Sequence, residues 1–199
     1  MLEYPEITTI VRQMRAELIG KTVTSGAVVK KNNNMFMSDE DAQKYTLLIK
    51  GIIVDIEQLS PDIYVMLDNG YGILICQSGG KILYNPTEKD VPKNYNIRFD
   101  FSDNSNLTYT MHLFTLGIFA ITQDEWEKRK MSNKKFNPFS GSFEDYLKFM
   151  EKHPDQQKKQ VKVFLATNIL GVMSTFAAEI LLYAGIHPSI QLNKLSQIE

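Results

Sequence analysis

One cysteine, Cys76, is all the thiol chemistry this 199-residue chain carries. It cannot close an intrachain disulfide, and with no CxxC pair there is no structural zinc site to staple the fold. Long apolar runs are missing too. None reaches the roughly 18 residues that a membrane span needs, because Asn, Ser, Gln or Lys interrupts each one. The opening MLEYPEITTIVRQMR places acids and polar groups where a signal peptide needs a basic start and an apolar block. A reducing cytoplasm without a membrane partner is the compartment these absences imply. Neither sign of charge dominates, since 22 Lys plus Arg stand against 23 Asp plus Glu. A uniformly basic nucleic-acid binder is therefore excluded, whereas a neutral protein with one basic face is not.

What remains is globular. Hydrophobic residues make up 43% and aromatics 11% of the chain, and a chain of this length buries roughly 70% of its unfolded surface. Ile7, Ile10, Val11, Met14 and Leu18 recur at spacings of three and four, which predicts a helix with Pro5 in its first turn and Gly20 at its end. Lys21 to Val29 reads as a strand, Lys31 to Asn34 as a turn, and Ser38 to Leu48 is ambiguous. From Gly51 to Ile121, short β-branched or aromatic runs alternate with turns at Pro61-Asp62, Asn69-Gly70 and Gly79-Gly80. Asn69-Gly70 predicts a type I′ hairpin. Six or more such strands make an antiparallel sandwich or barrel.

The segment TQDEWEKRKMSNKKFNPFSGS then loses apolar periodicity and reads as a linker. Helices are predicted over Phe143 to Lys152, Gln156 to Asn168 and Ser174 to Tyr183. Gly185 is the C′ residue of the last, and Leu192 opens a fourth. The expected organisation is α+β: an N-terminal helix plus antiparallel β-sandwich over residues 1–124, a linker over 125–141, and a helical module over 142–199.

Single residues carry less. His112, His153 and His187 are too scattered for a metal site, and no cofactor motif is present. Gly79-Gly80-Lys81 lacks the spacing and the following hydroxyl of a phosphate loop. Cys76 reads as a strand core residue rather than a nucleophile, having no motif nearby that supplies a base. Several of the nine methionines, including Met14, Met66, Met150 and Met173, fall at core-like periodic positions and fit packing. The cluster Lys128 to Lys135 and the pair Lys158-Lys159 offer backbone phosphate contacts, or else a solvated face.

Two stretches are more specific. Leu2-Glu-Tyr-Pro-Glu-Ile-Thr-Thr-Ile10 resembles PELPEVETI. Gly171-Val-Met-Ser-Thr-Phe-Ala-Ala-Glu-Ile-Leu-Leu-Tyr-Ala-Gly-Ile-His-Pro188 resembles GIGNIYADEILFRAGIHP, with Leu195-Ser196 following. These are the opening motif and the helix-two-turn-helix signature of the formamidopyrimidine-DNA glycosylase and endonuclease VIII family. Their order and separation, with a β-sandwich between them, extend the resemblance over nearly the whole chain. It implies a helix plus β-sandwich followed by a helix-two-turn-helix module. It also implies double-stranded or damaged DNA as partner, and base-excision chemistry in which a terminal amine attacks C1′ of a flipped nucleotide.

Carried over residue by residue, the resemblance makes Glu3 the catalytic acid and Glu6 the second family glutamate. The free amine would sit on Met1, because Leu2 stands in place of the family proline and is too bulky for efficient methionine removal. Pro61 occupies the place of the lysine in RRGKYL, and Ser174 that of the phosphate-contacting asparagine. Tyr109 to Gly117 lacks the aspartate and arginines of YRDVRKFG. Lys162 falls near the conserved lysine leading into the helical module. The family's carboxy-terminal finger has no counterpart in these residues. The expected function is a DNA-glycosylase-like nucleic-acid-binding protein without normal glycosylase or lyase activity. Its candidate contacts are Lys128, Arg129, Lys158, Lys159, Lys162 and Ser174. The alternatives are an active lyase using the Met1 amine, with Glu3 assisting, and a fold repurposed for protein partners or self-association.

Overall fold

The computed structural model describes residues 3–28, 39–76, 80–111 and 117–197. It divides into two compact units, Met1–Lys130 and Met131–Glu199. In the first, α1 (Tyr4–Leu18) buries the stripe Ile7, Val11, Met14 and Leu18, as the spacing predicts. After β1 (Val23–Val28), the ambiguous stretch resolves into a short α2 (Asp39–Lys44) and a 3-10 turn over Tyr45–Leu48. Seven further strands follow: β2 (Ile53–Leu59), β3 (Asp62–Leu67), β4 (Tyr71–Ile75), β5 (Gly80–Asn85), β6 (Ile97–Phe101), β7 (Asn106–Met111) and β8 (Ile118–Thr122).

They pair antiparallel in two four-stranded sheets, ordered β1-β6-β7-β5 and β2-β3-β4-β8. Ile53, Ile56, Val65 and Ile73 from one sheet meet Ile97, Phe99 and Leu107 from the other, and the α1 stripe joins this same core. Each such side chain removed from water contributes about 1.5–3 kcal/mol, which is why an alternating pattern suffices to fix the sandwich. β3 and β4 depart from alternation because they are buried on both faces. Tyr64 and Leu74 point away from the main core into a second cluster around Trp126.

That tryptophan lies in the stretch read as a linker. The structure instead forms α3 (Gln123–Ser132), with Trp126 fully buried. Its start is a reciprocal cap: the Thr122 N–H donates to Glu125 Oε2 at 2.7 Å, and the Glu125 N–H donates to Thr122 Oγ1 at 3.2 Å. Thr-Gln-Asp-Glu is thus a capping box, the signal that apolar periodicity overlooks.

Two turn assignments also change. At Asn69-Gly70 only Gly70 has positive φ, so the β3–β4 hairpin exists without the type I′ geometry. The Asn69 side chain instead accepts from the Tyr71 N–H at 3.2 Å, and its amide donates to the Leu47 carbonyl at 3.0 Å. Gly80 is the first residue of β5, which pairs with β7, whereas β4 pairs with β3 and β8. Consecutive β4 and β5 therefore belong to different sheets and form no hairpin. The predicted turn at Lys31 to Asn34, Gly79, and His112 lie outside the described residues.

A polar cluster closes the far end of this unit. Lys21 Nζ donates to Asp103 Oδ2 at 2.5 Å, to Tyr84 Oη at 2.7 Å and to Ser105 Oγ at 2.8 Å. Burial works against the ammonium, but the bonds to Asp103 and Tyr84 prevail and raise its pKa. The same Lys21 hydrogen bond, followed by that from Ser105, holds the Asp103 carboxyl at about 2. A carboxylate depressed on folding stabilises above its unfolded value, and that contribution fades as pH falls through the folded value. Asp103→Asn should therefore lower the urea midpoint at neutral pH, with the gap from the parent closing between about pH 4 and 2. A gap independent of pH would mean that shape, not charge, carries the effect.

The second unit is helical, built from α4 (Phe143–Glu151), α5 (Val161–Asn168) and α6 (Ser174–Tyr183) around Phe164, Ile169, Val172 and Ala177. The predicted run from Gln156 is split. A 3-10 turn over Pro154–Lys158 gives way to extended backbone at Lys159 and Gln160 before α5 begins. The split has a cause: the Val161 N–H donates to the Ile190 carbonyl at 2.8 Å, and Gln160 bridges Gln191. Leu192–Gln197 is a 3-10 segment rather than a fourth α-helix. Among the described residues, no helix is long and apolar enough to cross a membrane, and no His, Cys, Asp and Glu cluster could hold a metal ion.

Candidate nucleic-acid interface

The start of α1 and the β2–β3 turn share one end of the first unit. Gln58 Nε2 donates to Thr8 Oγ1 at 3.2 Å, tying the end of β2 to the second turn of the helix. Glu3 is the N-cap residue, and its N–H donates to Glu6 Oε2 at 2.8 Å. Glu6 thus occupies the N3 position of a capping box, where its charge also favours the helix dipole. Pro61 sits in the adjoining turn and supplies neither charge nor N–H. Met1 lies outside the described residues.

Asp62, next to Pro61, is buried and draws in Arg129. The Arg129 Nε donates to Asp62 Oδ2 at 2.7 Å, and its Nη2 lies 2.5 Å from the same oxygen. Arg129 Nη2 also comes within 3.9 Å of Cys76 Sγ. Burial first, then Asp62, pushes the Cys76 thiol up to about 12, so it remains protonated at neutral pH. Glu57 plays the same anchoring role for its neighbours: Oε2 accepts from Trp126 Nε1 at 2.7 Å and from Lys130 Nζ at 2.9 Å. Within the basic run, Arg129 and Lys130 are thus committed to carboxylates of their own unit. Lys128 points outward from α3 and is exposed. Asp62, Glu57 and Trp126 are the residues that motif reading missed, because each acts through a partner 67–73 positions away.

In the second unit the candidate residues separate into two groups. Lys158 is exposed, while Lys159 and Lys162 are half-buried around the start of α5. There the first amides are already used, by the carbonyls of Ile190 for Val161 and Pro188 for Lys162. Ser174 opens α6 beyond the far end of α5, and eight helical residues span about 12 Å.

The α6 start differs from the α5 start. Its N-cap is Met173, whose side chain makes no capping hydrogen bond. Among the described residues no acceptor takes the amides of Ser174 or Thr175, and both residues are exposed. An uncapped helix start with two flanking hydroxyls is chemically suited to an anion.

Comparison with known proteins follows the same outline. Residues 1–113 match the family model for the formamidopyrimidine-DNA glycosylase N-terminal domain. The formamidopyrimidine-DNA glycosylase of Mycoplasma genitalium is 26% identical over 201 residues, covering 98% of this chain and 69% of its own. That of Bacillus licheniformis is 27% identical over 206 residues, covering 99% and 72%. Among solved structures, the complex between Lactococcus lactis Fpg and abasic-site DNA superposes with a TM-score of 0.80. Its identity is 20%, and the match covers 98% of this chain and 71% of that one. With the opening helix, the sandwich and the two-turn helical module all in place, the chain belongs to the formamidopyrimidine-DNA glycosylase family.

Proposed function

We propose that this chain binds double-stranded or damaged DNA through a family scaffold from which the ordinary glycosylase and lyase chemistry has been lost. The observation that carries the loss is Pro61. It stands in the turn beside the start of α1, where the family resemblance calls for a lysine. Leu2 in place of the family proline acts in the same direction, because attack at C1′ depends on a correctly placed unprotonated amine. An error of about 1 Å in such placement costs about a hundredfold in rate. Glu3 and Glu6 remain, and both have a structural role as the cap of α1.

DNA affinity rests on different groups. The relatives of known structure include complexes with abasic-site DNA, and the exposed start of α6 offers two amides and two hydroxyls to a phosphate. Lys158, Lys159, Lys162 and Lys128 add cationic groups that serve backbone contact without reading sequence. Binding of this kind weakens steeply with salt as counterions are released.

The test is borohydride trapping on an abasic-site duplex, run beside direct binding to the same duplex at low and moderate salt. Salt-sensitive binding without a covalent adduct is expected. An adduct that disappears when the terminal amine is blocked would establish lyase activity instead. Absence of both signals would point to a role in protein contacts. Ser174→Asp adds an independent check. A carboxylate at the helix start favours the α6 dipole, yet should weaken DNA binding by on the order of tenfold through repulsion of phosphate. Unchanged affinity would remove α6 from the interface.

A further inference from the structure

A cavity of about 560 Å³ lies between α1 and the edge strand β5. Its wall is formed by Met14 and Leu18 of α1, Ile63 and Ile75 of the sheet opposite, and Ile82 and Leu107 of the near sheet. Native cores are packed with few voids larger than a water molecule. Ligand sites, by contrast, occupy about 300–1,000 Å³, with an apolar wall and a few convergent polar groups. This cavity has both properties. Gln13, Glu17 and Lys81 also line it and are exposed, so they form its mouth. Among the described residues, no ion pair joins Lys81 to Glu17.

We propose that this cavity is a binding site for a small neutral molecule with an apolar body and one polar end that both donates and accepts hydrogen bonds, such as an amide, an alcohol or a phenol. The body is matched by the aliphatic wall. The polar end is matched by the mouth, where an ammonium donates, a carboxylate accepts and an amide does both. A fully ionic head is disfavoured, because Lys81 and Glu17 oppose one another in sign. Pro61 also lines the cavity, whereas Lys128, Lys158, Lys159, Lys162 and Ser174 do not, and the probe needs no DNA, so its outcome is distinct from that reading.

Cys76 also lines the cavity and is the chain's one thiol, so its alkylation reports occupancy directly. The probe is 2-naphthol, a neutral fluorophore with an apolar body, whose hydroxyl both donates and accepts and whose neutral-form emission grows when it leaves water. Its emission should rise saturably with one site per chain. At pH 8, in long incubations that allow for the raised thiol, and at a free concentration about ten times its Kd, alkylation of Cys76 by iodoacetamide should slow about tenfold relative to the probe-free chain. Ile82→Trp fills the cavity from β5 and should abolish saturable emission. Ile10→Trp, on a half-buried position of α1, does so from the other side and serves if the first variant does not fold. The proposal fails if the parent shows no saturable emission. It also fails if emission survives in a folded filled variant, or if alkylation is unchanged at saturating probe.

Discussion

Trp126→Ala is expected to destabilise the first unit by about 3–5 kcal/mol, the range for deleting a buried aromatic side chain. The residue is fully buried, and its ring stacks on Tyr64 at a centroid separation of 5.1 Å. Its indole N–H is a bond donor to Glu57. Truncation opens a cavity on the outer face of the β2-β3-β4-β8 sheet and removes that donor. Lys130 still pairs with the Glu57 carboxylate at 2.9 Å, so the charge left behind is not stranded and the loss is chiefly one of packing. Trp126→Phe should therefore recover most of the stability, short of the indole hydrogen bond. Urea unfolding followed by circular dichroism measures both variants, since either substitution removes the sole tryptophan. A loss below about 1 kcal/mol for the alanine variant would mean that α3 is not held to the sheet as described.

Where local pattern and burial coincide, the sequence was readable. Ile7, Val11, Met14 and Leu18 define α1 because only one helical stripe meets a core. Ser174 to Tyr183 was legible to the residue, with Gly185 following at positive φ. The antiparallel sandwich was legible as a class, but its strand order was not. No periodicity tells that β5 pairs with β7 while β4 pairs with β8. α3 was hidden for another reason. Its single buried contact is one tryptophan among charges, so an apolar stripe never forms, and the Thr122–Glu125 cap is the only local signal. The site was least legible of all. Arg129 reads as a phosphate contact until its partner Asp62 is brought beside it by the fold. The family motifs located the helix starts at Glu3 and Ser174. They did not reveal that Met173 leaves the second of these uncapped.

The same stack makes Gly72→Ala the second large effect, on the order of 3 kcal/mol. A Cβ at position 72 would overlap the Cε2 and Cζ atoms of Tyr64 and approach the Val65 carbonyl oxygen to 2.5 Å. Neither neighbour yields easily. Val65 lies within the β3–β4 ladder, opposite Ile73, and the Tyr64 ring is backed by Trp126. The required property of Gly72 is thus the absence of a side chain, not backbone freedom. A double-mutant cycle separates the two obstacles. In a Tyr64→Ala background the ring overlap vanishes, so the penalty of Gly72→Ala should fall by about 0.5–3 kcal/mol while the share due to Val65 persists. In a Tyr64→Phe background it should not fall at all, because both overlapping ring atoms remain. Tyr64→Phe alone should be nearly neutral, since its buried hydroxyl finds no partner among the described residues. Full additivity of Gly72→Ala with Tyr64→Ala would place the strain in the strand backbone alone, at the Val65 carbonyl.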